Sequence, residues 1–223
     1  QKQTNQLIES NRKMAEYKLI ALRSVMNPHF LFNSLNAIQY FITKNDRMQA
    51  LNYLPRFSKL IRLVLNSSIE NTNTLSEEIQ ILKIYIELES LRFLNKFTSD
   101  IYIDPAIKTE NIEIPSLLLQ PYVENAILHG LSHLEGNNGK LYVGFKKKEN
   151  KLICTIEDNG IGRAAAKEIK KDNQLHKSVG MLVTQERIEL INKNNAVSVE
   201  IKDLFDDRNK PSGTRVEIKF ALN

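Results

Sequence analysis

Hydrophobic positions change period along this chain. Up to about residue 94 they recur at helical spacing; from about residue 100 they alternate with polar positions over short stretches. In the segment 23–44, stepping about 100° per residue puts Leu35, Ile38 and Ile42 within roughly 40° of Leu31. These four form one apolar stripe, expected to be buried, with Phe30, Phe32 and Phe41 flanking it and His29, Asn33, Asn36 and Tyr40 opposite. His29 and Asn33, at i and i+4, are neighbours on that polar face. Asn27-Pro28 either starts the helix, as N-cap and first helical residue, or marks a kink in a longer one. The helix is expected to end near Lys44-Asn45. Asp46 then caps a second helix running to about Ser68, with Leu51, Leu54, Phe57, Leu60, Ile61, Val64 and Leu65 at helical spacing and Pro55 able to bend it. Two such helices make an antiparallel hairpin. A lone hairpin does not cover all its apolar residues, whereas two copies make a four-helix bundle, so a homodimer is expected. Ahead of it, Leu7, Met14 and Ala21 recur every seventh residue with Tyr17 at a d-like position. That short heptad pattern reads either as a solvated lead-in helix or as a coiled coil carrying a signal from upstream.

Thr74-Leu-Ser-Glu77 is a capping box, which starts a helix to about Leu94 with Ile79, Leu82, Ile86 and Leu91 as buried positions. Residues 100–107 alternate like a strand. Pro115 is expected to open a helix to about Leu131. Residues 140–148 and 152–157 read as a hairpin with Glu149-Asn150 in its turn, residues 180–194 as a helix, and 197–204 and 214–220 as closing strands around a Pro-Ser-Gly turn. The fold class is therefore α+β: a helical hairpin, then an α/β sandwich with one mixed sheet and helices on one face. The expected division is a helical unit over 1–72, including the lead-in, and a second unit over 73–223.

Composition narrows this little. Hydrophobic residues make up 42% and charged residues 26%, which fits an ordinary globular chain. The net charge of +5 is modest, and the basic runs at 146–148 and 167–171 lack the interleaved aromatics of a nucleic-acid groove, so no nucleic-acid partner is expected. The single Cys154 excludes an internal disulfide, fits a reducing compartment and is expected to be a small buried residue. No apolar run approaches the roughly 18 residues of a spanning helix. The chain, which begins at Gln1, is expected to be a cytoplasmic portion of something longer.

Three stretches of the second half carry chemistry. Gln120-Pro-Tyr-Val-Glu-Asn-Ala-Ile-Leu-His-Gly130 places the acid–amide pair Glu124-Asn125 on an apolar helix, and an amide oxygen is a hard ligand suited to Mg²⁺. Asp158-Asn-Gly-Ile-Gly162 follows a strand. Its carboxylate can accept a hydrogen bond from an exocyclic amine, and its glycines allow close backbone approach. Lys177-Ser-Val-Gly180 is a small-residue turn opening a helix, whose N–H groups can hold phosphate. Between the last two, residues 163–179 read as a charged loop of lid length. His129 and His133 have i, i+4 spacing, but no third ligand or Glu-x-x-His pattern supports zinc.

With Asn27-Pro-His-Phe-Leu-Phe-Asn-Ser-Leu35 and Ser212-Gly-Thr-Arg-Val216 added, the chain from about Leu19 onward resembles the sensor histidine kinases of the LytS/YehU type. Its second half resembles the wider ATP-binding group shared with gyrase, Hsp90 and MutL. The resemblance implies an ATP- and Mg²⁺-dependent kinase that phosphorylates His29 and passes the phosphoryl group to an aspartate of a response regulator. It implies Asn125 as the Mg²⁺ residue, Asp158 as the adenine reader with Gly160 and Gly162 beside it, and Ser178 and Gly180 in the lid motif. It further implies Gly213-Thr214 as the last nucleotide box, His129 at the site's edge and Asn33 as an amide that positions water for phosphatase activity. An upstream sensor region in the inner membrane is also implied. Imidazole, with an ordinary pKa of about 6.5, is mostly neutral at pH 7 and offers a lone pair for in-line attack. At Phe30 the sequence differs from many histidine kinases, which keep an acid there that takes the imidazole proton; Glu124 is the candidate base if the ATP-binding half reaches His29. Leu128 replaces a common lysine, and Ser178, Met181 and Val183 alter the lid motif. Two other readings stay open: a nucleotide-binding signalling module without kinase activity, and an ATPase of the gyrase or Hsp90 kind.

Overall fold

A computed structural model describes residues 28–172, 188 and 197–222, the side chains of residues 28, 29 and 169–172 excepted. The heptad lead-in, the choice between cap and kink at Asn27, Ser178, Gly180 and, apart from Ile188, the helix expected at 180–194 lie outside the described residues.

Helix α1 (Pro28–Thr43) stops where its sequence says it should. Asn45 takes a left-handed φ of 57°, Asn45 N donates to Ile42 O at 3.0 Å, and Asp46 N donates to Phe41 O at 2.8 Å. This pairing closes the last carbonyls of the helix. The same Asp46 then caps α2 (Arg47–Ile69), accepting from Gln49 N at 3.1 Å. The buried side of the hairpin differs from the expected stripe. Phe30, Ser34, Ala37 and Phe41 are buried, while Leu35 and Ile42 are 55% and 65% exposed. On α2, Tyr53, Leu60 and Val64 are buried, and Leu51, Leu54 and Leu65 are exposed. The hairpin has two apolar faces, and the chain's own helices cover the aromatic one. Phe30 lies between Phe57 (6.1 Å between ring centroids) and Tyr85 (5.4 Å), and the Tyr53 hydroxyl donates to Ser34 Oγ at 3.2 Å.

Strand β1 (Thr72–Thr74) leads into α3 (Leu75–Arg92), whose capping box is complete: Glu77 N donates to Thr74 Oγ1 at 3.3 Å, and Thr74 N to Glu77 Oε2 at 2.9 Å. Ile79, Leu82 and Ile86 are buried as expected and Leu91 is half-buried. Leu75, Ile81, Ile84, Tyr85 and Leu88 are buried too, so α3 is apolar nearly all round and is covered from several sides.

Strand β2 (Phe97–Ile103) starts earlier than expected and ends before Pro105, where the Asp104 carboxylate accepts from Ala106 N at 2.9 Å to close a turn. Strand β3 (Glu113–Pro115) pairs antiparallel with β1. Pro115 therefore ends a strand and does not open a helix. Leu117 adopts a φ of 57°, and α4 (Gln120–Asn125) begins only afterwards. It continues as a π-helical turn (Ala126–Gly130) and a 3-10 turn (Leu131–His133). Strands β4 (Gly139–Lys148) and β5 (Lys151–Asp158) form the expected hairpin. Helix α5 (Gly162–Asp172) occupies the first part of the stretch read as a loop. Strands β6 (Val197–Phe205) and β7 (Pro211–Ala221) close the sheet. Their turn is built by Asp206, whose Oδ1 accepts from Arg208 N and Lys210 N, so the Pro-Ser-Gly segment lies within β7.

The main sheet runs β2-β4-β5-β7-β6, with β2 parallel to β4 and the remaining pairs antiparallel. Rows of opposed residues share a face. Val143, Ile156 and Val216 make one row, and Phe145, Cys154 and Ile218 the next, all buried. Cys154 is wholly buried and its thiol pKa is pushed up by burial, as suits a core residue. Among the described residues no helix is long and apolar enough to cross a membrane.

One buried acid ties these parts together. Glu78 on α3 is 1% exposed, and its Oε1 accepts from Asn73 Nδ2 on β1 at 2.7 Å and from Leu117 N at 2.6 Å. Ser116 joins the same seam: its N donates to Asn71 O and its hydroxyl to Glu70 O. Truncating the acid strands buried donors. Glu78→Ala is expected to cost about 2–3 kcal/mol and Glu78→Gln, which keeps an acceptor oxygen, distinctly less. Urea unfolding at neutral pH checks this, and equal midpoints for wild type and Glu78→Ala would show the seam carries no weight.

Candidate functional site

Strand β5 ends in Asp158, whose carboxylate is 4% exposed. Burial pushes its pKa up from 3.8 to about 6; the N–H groups of Gly160 (2.8 Å) and Thr214 pull the other way, and neighbouring Glu157 adds to the rise. Three glycines make that burial possible. A Cβ at Gly130 would stand 2.5 Å from Asp158 Oδ1, and one at Gly160 would overlap the Gly130 backbone. One at Gly213, with φ at 130°, would overlap the Asp158 carbonyl oxygen. The end of the π turn, the β5–α5 turn and the start of β7 thus meet at one carboxylate. Ile161 N donates to Gly130 O at 3.3 Å across the same junction. Asn159 locks the turn from outside, its Oδ1 accepting from Lys140 N at 2.6 Å and its Nδ2 donating to Asn138 O at 3.0 Å. Gly162, with φ at 76°, lets α5 start against Pro211.

Glu124 and Asn125 end α4, and His129 sits in the π turn that follows; all three are half-buried. π turns interrupt helices mostly at functional positions. Here the turn brings Gly130 against Asp158 while Asn125 and His129 stay partly open. Burial raises the pKa of Tyr85 on α3, and the charges of Glu89 and Glu124 add to the rise.

His29 lies in the first turn of α1, with its side chain outside the described residues. Asn33 is half-buried beside a groove that also takes in Asn36 and Tyr40 of α1, Arg92 at the end of α3 and Leu94 just past it. Arg92 is spoken for: it pairs with buried Glu89 and lies 4.0 Å over the Phe93 ring. The structure therefore brings Asp158, Gly160, Gly162, Gly213 and Thr214 together with the His129-Gly130 turn. It keeps His29 and Asn33 on a separate element that reaches α4 by way of α3. Sequence reasoning missed Gly130 and Tyr85. The place of Gly130 at the end of its motif was a usable signal; nothing local marked Tyr85.

The histidine kinase family matches residues 17–97 of the chain. The sensor histidine kinase YpdA of Escherichia coli is 33% identical over 187 residues, covering 82% of this chain and 32% of that protein. The sensor protein LytS of Staphylococcus haemolyticus is 37% identical over 150 residues, covering 67% of this chain and 25% of that protein. The chain thus spans a quarter to a third of the length of these relatives. Among solved structures, the histidine kinase domain of the blue-light activated kinase EL346 from Erythrobacter litoralis superposes with a TM-score of 0.50 at 14% identity, over 96% of each chain, a likeness that bears on fold alone.

The buried carboxylate gives a pH prediction. Because burial raises the folded pKa of Asp158, the neutral form stabilises the fold; that contribution is complete below about pH 4 and is lost as pH rises through about 6. The unliganded wild type should therefore lose stability across that window relative to Asp158→Asn, with Asp158→Asn ahead by on the order of 2 kcal/mol near pH 7.5. Urea unfolding of both proteins at several pH values measures it; a constant difference from pH 4 to 7.5 would contradict it.

Proposed function

The chain belongs to the sensor histidine kinases of the LytS type, and on that footing we propose that it is the ATP-dependent phosphorylating part of a two-component sensor. The observation that carries the nucleotide assignment is Asp158. It is a buried carboxylate enclosed by Gly130, Gly160 and Gly213, met by the N–H groups of Gly160 and Thr214 and with acceptor capacity remaining for a further donor such as the exocyclic amine of adenine. The nucleotide lies against the Asp158 turn, Gly162, Thr214 and His129, with Ser178 and Gly180 contributing from the lid motif. Asn125 offers one hard amide oxygen, which fits an ion such as Mg²⁺ that takes its other ligands from phosphate and water. When bound, that ion would neutralise phosphoryl charge. The residues of the chain do the rest. The neutral imidazole of His29 attacks the γ-phosphorus in line, the bond to ADP breaks, and the ring proton passes to a base for which Glu124 is the candidate. The phosphoryl group then moves to a response-regulator aspartate, and Asn33 positions water in the reverse, phosphatase direction. The functional division is 1–72 for phosphoacceptor and dimerisation and 73–223 for ATP binding. The parent protein supplies an upstream sensor region in the inner membrane, with this portion in the cytoplasm.

The exposed face of the hairpin supports a homodimer. Phe32, Leu35 and Ile42 of α1 and Leu51, Leu54 and Leu65 of α2 are large, apolar and uncovered. A patch of that kind marks an association surface, and a second hairpin laid on it completes a four-helix bundle.

Incubation with γ-labelled ATP and Mg²⁺ should give acid-labile label on the wild type and none on His29→Gln. Equal label on both, or steady phosphate release that survives His29→Gln, would overturn the kinase reading, the latter in favour of a gyrase-like ATPase. A charge on the open stripe, Leu35→Glu, should turn a dimer into a monomer in sedimentation velocity while the melting of the ATP-binding part stays unchanged. A wild type that sediments as a monomer at all concentrations would remove the bundle.

A further inference from the structure

Phe30 stands at the position where many histidine kinases keep an acid, and it is 7% exposed. Its ring is 5.4 Å from that of Tyr85, at an interplanar angle of 40°. Tyr85 is itself 1% exposed and sits in the middle of α3. Helix α4 packs on α3, and the charge of Glu124 bears on the Tyr85 hydroxyl. The two reactive positions of the proposed transfer therefore each have a chain neighbour at the same tyrosine. His29 is followed by Phe30, and Asn125 is preceded by Glu124. A second side-chain link between the hairpin and α3 comes from α2, where Arg56 Nε pairs with Glu87 at 3.1 Å. No second aromatic contact joins the first turn of α1 to α3 among the described residues.

We propose that Tyr85 is a positioning residue for phosphoryl transfer: through Phe30 it holds the turn of α1 that carries His29, and it fixes that turn relative to the α4 segment that carries Glu124 and Asn125. In this role Tyr85 takes no part in the chemistry itself. Its ring anchors the first turn of α1 on α3, the helix against which α4 also packs, and in-line transfer loses rate steeply when the attacking nitrogen is misplaced. The ring is what the contact uses, so phenylalanine can replace it and an aliphatic side chain cannot. This rests on the kinase reading, and the test separates the two.

Autophosphorylation and ATP·Mg²⁺ affinity are measured on wild type, Tyr85→Phe, Tyr85→Leu, Phe30→Leu and the Phe30→Leu/Tyr85→Leu double variant. Tyr85→Leu should slow labelling by about tenfold or more with the affinity for ATP held within about twofold. Tyr85→Phe should restore most of the rate, and the double variant should be little slower than Tyr85→Leu because both changes break one contact. Labelling by Tyr85→Leu at or above the wild-type rate, or a parallel fall in ATP affinity, overturns the proposal. So does a double variant whose losses simply multiply. Amide hydrogen exchange supplies a readout that needs no kinase activity. In the wild type ATP·Mg²⁺ should slow exchange in the first turns of α1, and in Tyr85→Leu that protection should vanish while protection around Asp158 persists. If the wild type takes up no label, the kinase reading falls and exchange alone decides the bridge: protection of α1 that survives in Tyr85→Leu refutes it.

Discussion

Helix α3 buries Leu75, Ile79, Leu82, Tyr85 and Leu88 together with two acids, Glu78 and Glu89, so covering it requires more than one neighbour. The hairpin of α1 and α2 takes one side, and the sheet and α4 take others. A carboxylate in such a place is tolerable only when donors meet it. Glu89 is met by Arg92 one turn on, which also stacks on Phe93 and finishes the helix. Glu78 is met by Asn73 and by the backbone of Leu117, so the same demand draws β1 and the entrance of α4 onto α3. The orientation of the helix that carries Glu124 and Asn125 is thus set from α3, and the hairpin that carries His29 is docked on the same helix.

Features with local causes were legible in the sequence. The stop at Asn45, the cap at Asp46, the capping box at Thr74 and Glu77 and the hairpin turn at Glu149-Asn150 each depend on a few adjacent residues, and each stands where expected. Features with distant causes were not. Pro115 has the look of a helix start, but pairing with β1 and a bond from Leu117 to Glu78, 39 residues away, turn the chain first. The stripe on α1 failed for another reason. Periodicity finds apolar faces but does not say whether the chain itself or a second molecule covers them, and here Phe30, Ser34, Ala37 and Phe41 won the intramolecular side. In the site, the Asp-Asn-Gly turn and Gly213 were readable as a motif, whereas the reason for the glycines was not. They admit three segments of the chain to one carboxylate, and only the folded backbone reveals that.

The buried state of Asp158 has a consequence for ligand binding. In the unliganded chain the carboxylate is only partly committed to its charge near neutrality, since burial holds its pKa at about 6. An amine donor reaching it would stabilise the ionised form and release whatever proton remains. Selectivity follows from the same geometry: a ligand that presents an acceptor at that point leaves two acceptors facing one another in a site with little water to relieve them.

Phe30 joins the turn of α1 that carries His29 to α3. An acid at that position would be placed between Phe57 and Tyr85, where an ionised side chain would meet two rings and little water. The aromatic residue is therefore a commitment to packing, and it leaves the proton of His29 to be taken from elsewhere. Glu124, whose charge bears on the Tyr85 hydroxyl, belongs to the helix that also carries Asn125. On the proposed assignment, one rigid element then delivers both the metal-binding amide and the base, and α3 sets how that element meets the turn bearing His29. On that assignment, the aromatic contact to α3 and the placing of the base on the nucleotide helix are two sides of one structural choice.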